Sequence, residues 1–142
     1  MASPKHYSSK IHQTTLAILA AYEHQDLDEI MSFRTEDCIH IIRPSSLSPP
    51  PMENAAYRTF FSATITRVWN FKLTVSEIIE NGEQNKVVVF ASSTADSKEG
   101  VGSYAQEYVL LFEFEEGGEK IKRMVEWVDS VKAKEQVKML FG

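Results

Sequence analysis

Hydrophobic and polar residues along the chain follow a helical pattern in the first half and a strand pattern afterwards. Apolar residues recur three and four positions apart in segments that predict helices at Ser9–Glu23, Leu27–Arg34 and Met52–Val68. An isoleucine-rich segment between the second and third helices, Asp37–Arg43, predicts a short strand. The first half of the chain is therefore predicted to be mainly helical.

Beyond Trp69 the apolar and polar residues alternate, as they do in strands that bury one face. The predicted elements are a strand from Trp69 to the turn at Asn81–Gly82, a strand Lys86–Thr94, a turn Ala95–Gly102, a strand from Tyr104, a turn at Gly117–Gly118, a strand ending at Ser130, and a helix Ala133–Phe141. Helices followed by a meander of strands predict one α+β domain over residues 1–142, with three N-terminal helices packed on a strongly curved antiparallel sheet.

Polar side chains collect on one face of the last two strands. Strand periodicity places Tyr104, Gln106 and Tyr108 on one face of the first strand, and Glu126 on one face of the second. If the two faces coincide, two phenols, an amide and a carboxyl lie on a mainly apolar wall, as in a small acid–base pocket. Tyr104 and Tyr108 are two strand repeats apart, about 13 Å along an ideal strand, and could contact opposite ends of one ligand.

Each candidate residue has a structural interpretation beside the catalytic one. Glu126 is the leading general acid–base candidate, but it could also be a solvated strand residue or a stabilising partner of Arg34. The phenols of Tyr104 and Tyr108 could donate hydrogen bonds to a developing oxyanion or pack in the core with their hydroxyls at its rim. His40 is a secondary acid–base candidate, although a lone histidine on an apolar strand is more often held in place by hydrogen bonds.

The composition argues against several classes of function. The 142 residues carry a formal net charge of -5, and the scattered basic residues form no stripe for nucleic acid. The polar start, Met1–Lys10, contains no signal-peptide core, and the apolar run Leu16–Tyr22 is too short to span a bilayer. One cysteine, Cys38, allows no disulfide within the chain. We therefore expect a cytoplasmic protein that binds neither nucleic acid nor membranes.

The sequence contains no recognisable motif for a metal or a cofactor. Metal-ligand spacing is missing from the four histidines, His6, His12, His24 and His40. A phosphate-binding loop would need a helix and a lysine after its glycines, and the glycines at 100 and 102 are followed by neither. We therefore expect neither a metal site nor a phosphate-binding loop.

The face of the sheet opposite the polar wall is also apolar. It carries Val109 and Leu111 on one predicted strand, and Val125 and Trp127 on the next. An antiparallel sheet with one solvated face should show polar residues there. We expect a homodimer through this outer sheet face, although the C-terminal segment could cover the same apolar row instead.

Helices followed by a bent four-stranded meander are typical of the NTF2-like cone, and several segments resemble the fungal SnoaL-like proteins of secondary-metabolite clusters. The segments that carry the resemblance lie between Met31 and Ser130 and are Asp37-Cys-Ile-His40, Pro44-Ser-Ser-Leu47 with Pro49-Pro50 and Asn54, Tyr57 with Phe60-Phe61, Ala91-Ser-Ser-Thr-Ala-Asp96, Glu107-Tyr108, and Glu126 with Val128-Asp-Ser130. Their order and spacing together make the resemblance specific.

The resemblance implies a cofactor-free isomerase or cyclase acting on a polycyclic indole alkaloid, meroterpenoid or polyketide. In the branch that performs semipinacol-type rearrangements, the pocket is similar to the set Arg34, Tyr104, Tyr108 and Glu126 of this chain. Arg34 would lie at the end of the second helix near the mouth of the cone, where its guanidinium could polarise a carbonyl. Apart from the resemblance, a cation there would simply complement the helix dipole.

Two other classes of function remain open from the sequence. A dehydratase or an epoxide-opening hydrolase would use the same cone with His40 as its base. A non-catalytic binding module on the same fold would have a shallow or filled cone, since one scaffold can serve many functions.

Overall fold

The computed structural model of this chain describes residues 8–47, 49–100 and 102–142. The α-helices and strands in these ranges are, in chain order, α1 (Lys10–His24), α2 (Leu27–Ser32), β1 (Arg34–Arg43), α3 (Asn54–Ile65), β2 (Val68–Asn81), β3 (Lys86–Ser97), β4 (Ser103–Phe114), β5 (Ile121–Val128) and α4 (Ser130–Phe141), and a short 3-10 helix, Ser45–Leu47, follows β1. None of the helices in the described ranges is long and apolar enough to cross a bilayer. The start of the chain, on which the signal-peptide prediction depends, lies partly outside the described residues.

The strands form one sheet in the order β1-β5-β4-β3-β2. Strands β2 to β5 are the predicted antiparallel meander, and β1 extends it as a parallel edge strand beside β5. The helices pack on this sheet, which confirms the α+β prediction. The core joins buried residues of α1 to the inner sheet face, including Ile18, Leu19, Val87, Val89, Phe112 and Phe114.

Both predicted helices that flank the short strand are too long at their ends. Helix α2 stops at Ser32, and Arg34 pairs with Ile121 of β5 as the first residue of β1. Helix α3 starts only at Asn54, because the backbone of Met52 exchanges two hydrogen bonds of 2.9 Å with His40. In both cases, pairing with a residue distant in sequence replaces the local helical preference.

Two boundaries near the predicted polar wall also differ from the prediction. Strand β3 continues to Ser97 through the predicted turn, since Ala95 and Asp96 pair with the first residues of β4. Strand β5 ends at Val128, so Ser130 is the first residue of α4 and not a member of the wall. The Asp129 carboxylate caps α4 by accepting hydrogen bonds from the backbone N–H groups of its first turn, at 2.9 and 3.2 Å.

Candidate functional site

An apolar cavity of about 410 Å³ lies between the helices and the inner face of the sheet. The predicted faces of β4 and β5 do coincide there, because Leu110 pairs with Glu126 in the register of the two strands. Tyr104, Tyr108 and Glu126 all line the cavity, among mainly aliphatic and aromatic side chains from helices α1, α3 and α4 and from strands β1, β2, β4 and β5. The volume suits a small polycyclic ligand, and few polar groups are available to orient it.

The two tyrosines form one polar point rather than two separate ones. Their hydroxyl oxygens are 3.5 Å apart, and the hydroxyl of Tyr108 is also 2.8 Å from Oγ of Ser93. The prediction that Tyr104 and Tyr108 contact opposite ends of a ligand is therefore wrong. It rested on the spacing of the backbone, whereas strand side chains lean along the strand direction and can bring their ends together.

Both phenols remain protonated at neutral pH. Burial raises the pKa of Tyr104, and it raises the pKa of Tyr108 well above the ordinary value. The Glu126 carboxylate is a further, smaller cause of both shifts, so its charge acts on both phenols. The tyrosine pair can therefore donate hydrogen bonds to a ligand oxygen that gains negative charge.

Glu126 is held in place from behind by His40. The Nε2 atom of His40 is 2.9 Å from Oε1 of Glu126. In the parallel pairing of β1 with β5, His40 is the partner of Met124, which lies two residues before Glu126 on the same face of β5. The Glu126 side chain is 21% exposed, whereas that of His40 is fully buried. Of the residues that the structure describes, those lining the cavity include Glu126 but not His40.

Arg34 determines the tautomer of the His40 ring. The Nη1 atom of Arg34 is 3.4 Å from Nδ1 of His40, and a guanidinium can only donate. The Nδ1 atom therefore accepts, and the proton of the ring lies on Nε2, from which it is donated to Glu126. Burial also lowers the pKa of His40, against the opposing influence of Glu126, which agrees with a neutral ring.

The predicted position of Arg34 at the mouth of the cone is wrong. Its side chain is buried behind the cavity wall at the start of β1, and the residue is only 4% exposed. It donates from Nε to Oδ1 of Asn54 at 2.9 Å, and its Cζ atom lies 4.4 Å from the centre of the Tyr57 ring. Arg34 can therefore act on a ligand in the cavity only through other residues, either His40 and Glu126 or Tyr57, which lines the cavity.

Three residues of this buried network are not among the predicted site residues, although Asn54 and Tyr57 belong to segments that carry the family resemblance. Asn54 anchors Arg34, the ring of Tyr57 stacks on His40 with centroids 4.0 Å apart, and Tyr22 lies 2.7 Å from Tyr57, hydroxyl to hydroxyl. Burial raises the pKa of Tyr22 to about 12. The spacing of Tyr57, Phe61 and Ile65, four residues apart, is a signal that could have predicted the buried stripe of α3.

Because the buried imidazole of His40 is neutral, we expect the free energy of unfolding to decrease as the pH falls below about 6.5. In this range the unfolded chain binds a proton that the folded protein does not, because burial lowers the pKa of His40 in the fold. Stability therefore decreases with falling pH and levels off below the folded pKa. Urea unfolding at several pH values measures this dependence.

The His40→Asn variant should lose this part of the pH dependence. The matched control is His24→Asn, since the His24 side chain is 60% exposed and should leave the dependence in place. Identical pH profiles for the wild type and His40→Asn would contradict a buried, neutral imidazole.

Comparisons with known proteins agree with this architecture. Core atranone cluster (CAC) protein 11 of Stachybotrys chlorohalonatus is 32% identical over 129 residues, which cover 91% of this chain and 95% of that protein. Monooxygenase AacuP of Aspergillus aculeatus is 32% identical over 104 residues, or 73% of this chain and 70% of that protein. Among solved structures, BvnE pinacolase of Penicillium brevicompactum superimposes with a TM-score of 0.84 at 26% identity, and the match covers 92% of this chain and 93% of that one.

The family match covers most of the same elements. The family model described as SnoaL-like domain matches residues 16–124, from the middle of α1 to the middle of β5. This range contains the buried network behind the cavity wall as well as both tyrosines. The chain therefore belongs to the SnoaL-like family.

Proposed function

We propose that this protein is an isomerase or cyclase that rearranges a polycyclic secondary metabolite without a cofactor, with Glu126, Tyr104, Tyr108 and Arg34 as its principal site residues. The observation that carries the proposal is the placement of one carboxylate and a pair of protonated phenols in a single apolar cavity. General acid–base chemistry needs groups of this kind held close to the reacting atoms. The similarity to BvnE pinacolase supports the proposal.

The proposed reaction conserves every atom of the substrate. In a semipinacol-type rearrangement, Glu126 removes the proton of a ring hydroxyl, and a carbonyl forms as a carbon–carbon bond migrates to the neighbouring carbon. The neighbouring carbon belongs to an epoxide, whose carbon–oxygen bond at that carbon breaks while the oxygen stays bonded to the other epoxide carbon, and this oxygen accepts hydrogen bonds from Tyr104 and Tyr108. Glu126 then returns the proton to that oxygen, so the enzyme ends unchanged.

The residues behind the wall keep Glu126 in the orientation that this reaction needs. His40 donates to the carboxylate, and Arg34 holds the neutral tautomer of His40. We propose that His40 is a positioning residue and not the base, since its ring lies behind Glu126 and both ring nitrogens face protein groups. The apolar walls would select one conformer of the ligand, so that proximity and orientation determine the product.

The mass of the product tests the proposed class of reaction. The purified protein is incubated with oxidised indole alkaloids and meroterpenoid precursors. The products are then separated by liquid chromatography, and their masses are measured by mass spectrometry. An isomerase yields a product of unchanged mass, whereas a hydrolase adds water and a dehydratase removes it. Protein-dependent addition of one oxygen atom would instead support a monooxygenase, which is the name given to the relative AacuP.

A non-catalytic binding module is the remaining alternative to an isomerase and to a hydrolase or dehydratase. It would leave all of these compounds unchanged while binding some of them. The open cavity of about 410 Å³ argues against the filled cone that this alternative predicts, but it does not by itself require turnover.

We further propose a homodimer formed through the outer sheet face. Of the four residues predicted on this face, Trp127 is 50% exposed, Val109 and Leu111 are partly buried, and Val125 is buried. The alternative cover, the C-terminal segment, forms α4, and α4 lines the cavity on the inner side. A patch with a large exposed aromatic ring is typical of a contact between proteins.

Light scattering coupled to size-exclusion chromatography should give twice the mass of the chain for the wild type at micromolar concentration. Trp127→Lys should elute as a monomer, because it places a charge in the apolar contact. Leu16→Lys is the matched control, since Leu16 is 47% exposed on the helical layer and should leave the dimer intact. A monomeric wild type would contradict the proposed dimer.

A further inference from the structure

Two glutamines line the same cavity, and they differ in how their amides are satisfied. Gln106 is 5% exposed, and Gln136 is 8% exposed. The Oε1 atom of Gln106 accepts hydrogen bonds from the backbone N–H groups of Glu107 and Asp129, at 2.8 and 3.1 Å, and its Nε2 donates to the carbonyl of Asp129 at 3.2 Å. The amide of Gln106 therefore joins β4 to the segment after β5 and has a structural role.

The amide oxygen of Gln136 is buried and accepts no hydrogen bond from any residue that the structure describes. A buried acceptor without a partner costs free energy, because it has lost its hydrogen bonds to water. Such a group is retained at a cost to the fold, and in a cavity wall a ligand is the natural partner. The contrast with Gln106 shows that both amide atoms of a buried glutamine in this cavity can find partners within the protein.

Helix α4 is fixed at both of its ends, which holds Gln136 in the wall. Asp129 caps its first turn. Near its other end, the guanidinium carbon of Arg67 lies 4.3 Å from the centre of the Phe141 ring. Close to that end, Met139 packs against Gly102, where an added Cβ atom would come within 2.7 Å of the methionine sulfur. These contacts hold α4, and with it the Gln136 side chain, in place in the cavity wall.

We propose that Gln136 is a substrate-binding residue that accepts a hydrogen bond from a hydroxyl or ring N–H group of the ligand and so selects ligands that carry such a donor. This inference extends the proposed function, since it assumes that the cavity holds a polycyclic ligand. It assigns α4 a part in specificity that is separate from the acid–base groups on β4 and β5. A ligand without the donor leaves the oxygen unpaired and is rejected, because a site built for a hydrogen bond discriminates strongly against its absence.

A pair of matched probes tests this inference without turnover. The probes are β-hydroxyanthraquinone, whose hydroxyl is free of internal hydrogen bonds, and its methyl ether, which has no donor. Calorimetry or tryptophan fluorescence should show that the wild type binds the hydroxy compound about tenfold more tightly than the ether. In Gln136→Leu this preference should fall to within about twofold, with the ether bound as well as before.

A second measurement guards against a purely structural effect of the substitution. Without ligand, Gln136→Leu should raise the melting temperature by about 2–5 °C, because leucine removes the unpaired buried oxygen. Glu135→Leu is the control on the same helix, since the Glu135 side chain is 60% exposed. It should keep the tenfold preference of the wild type.

Three results would overturn the inference. They are a wild type with no preference for the hydroxy compound, a preference that survives in Gln136→Leu, and a marked loss of stability in that variant. A preference that disappears in Glu126→Gln but persists in Gln136→Leu would assign the contact to Glu126. The proposed chemistry fails by a different result, the absence of a product of unchanged mass, so failure of the two proposals can be distinguished.

Discussion

Glu126→Gln is expected to lower kcat by about 100- to 10,000-fold, which is the usual contribution of a general acid–base. The amide cannot exchange a proton at neutral pH, but it keeps the size of the carboxyl. Its oxygen can still accept the hydrogen bond that His40 donates from Nε2 to Oε1 of Glu126. The variant should therefore fold normally and bind the substrate within about threefold of the wild-type Kd, because the contacts of the cavity wall are retained.

The measurement is single-turnover kinetics on a substrate identified by mass spectrometry, combined with a binding titration of the same variant. Glu107→Gln is the matched control, since Glu107 lies next to Tyr108 on β4 but is exposed and does not line the cavity. Its kcat should remain that of the wild type. Unchanged turnover in Glu126→Gln would show that Glu126 takes no part in the mechanism. Tyr104 and Tyr108 would then be the remaining candidates for catalytic residues in the cavity.

The wall of the cavity could be predicted from sequence because strand periodicity is a local property. Alternation places Tyr104 and Tyr108 on one face of β4, and it places Glu126 on one face of β5. The turn between the two strands pairs them so that these two faces form the same side of the sheet. The same reasoning identifies the apolar outer face that carries Trp127. It says nothing of how far the ends of two side chains are apart, which is why the meeting of the two phenols was missed.

The buried network behind the wall could not be predicted in this way. His40 and Glu126 are 86 residues apart in sequence, and their contact depends on β1 pairing in parallel with β5. The local helical pattern predicts that the second helix extends to Arg34. In the structure Arg34 instead belongs to the sheet, because it pairs with Ile121 of β5. Local patterns therefore predict which residues share a face, but not which elements become neighbours.

Because Arg34 is buried behind the cavity wall, we expect it to stabilise the fold and the position of Glu126 rather than to contact the ligand. A guanidinium at the mouth of the cone would be expected to affect substrate binding first. At its actual position it links Asn54, Tyr57 and His40. Its replacement should therefore reduce stability and kcat together, because a loosened His40 no longer holds Glu126 in one orientation.

Arg34→Met is expected to lower the free energy of unfolding by about 3 kcal/mol, a large effect for a single substitution. The methionine fills part of the space, but it leaves the buried Nδ1 of His40 and the Oδ1 of the partly buried Asn54 without their donor. It also removes the cation from the face of Tyr57. Arg34→Lys should lose about half as much, since one ammonium cannot reproduce two donors in a fixed planar arrangement.

Urea unfolding near pH 7 measures both variants, with Arg58→Met as the control. Arg58 pairs with Asp28 at the surface, where the Asp28 side chain is 85% exposed, and its loss should cost no more than about 1 kcal/mol. If Arg34→Met were no more destabilising than Arg58→Met, the buried network would not support the fold. A stable Arg34→Met protein with full turnover would further show that Glu126 needs neither Arg34 nor a fixed tautomer of His40.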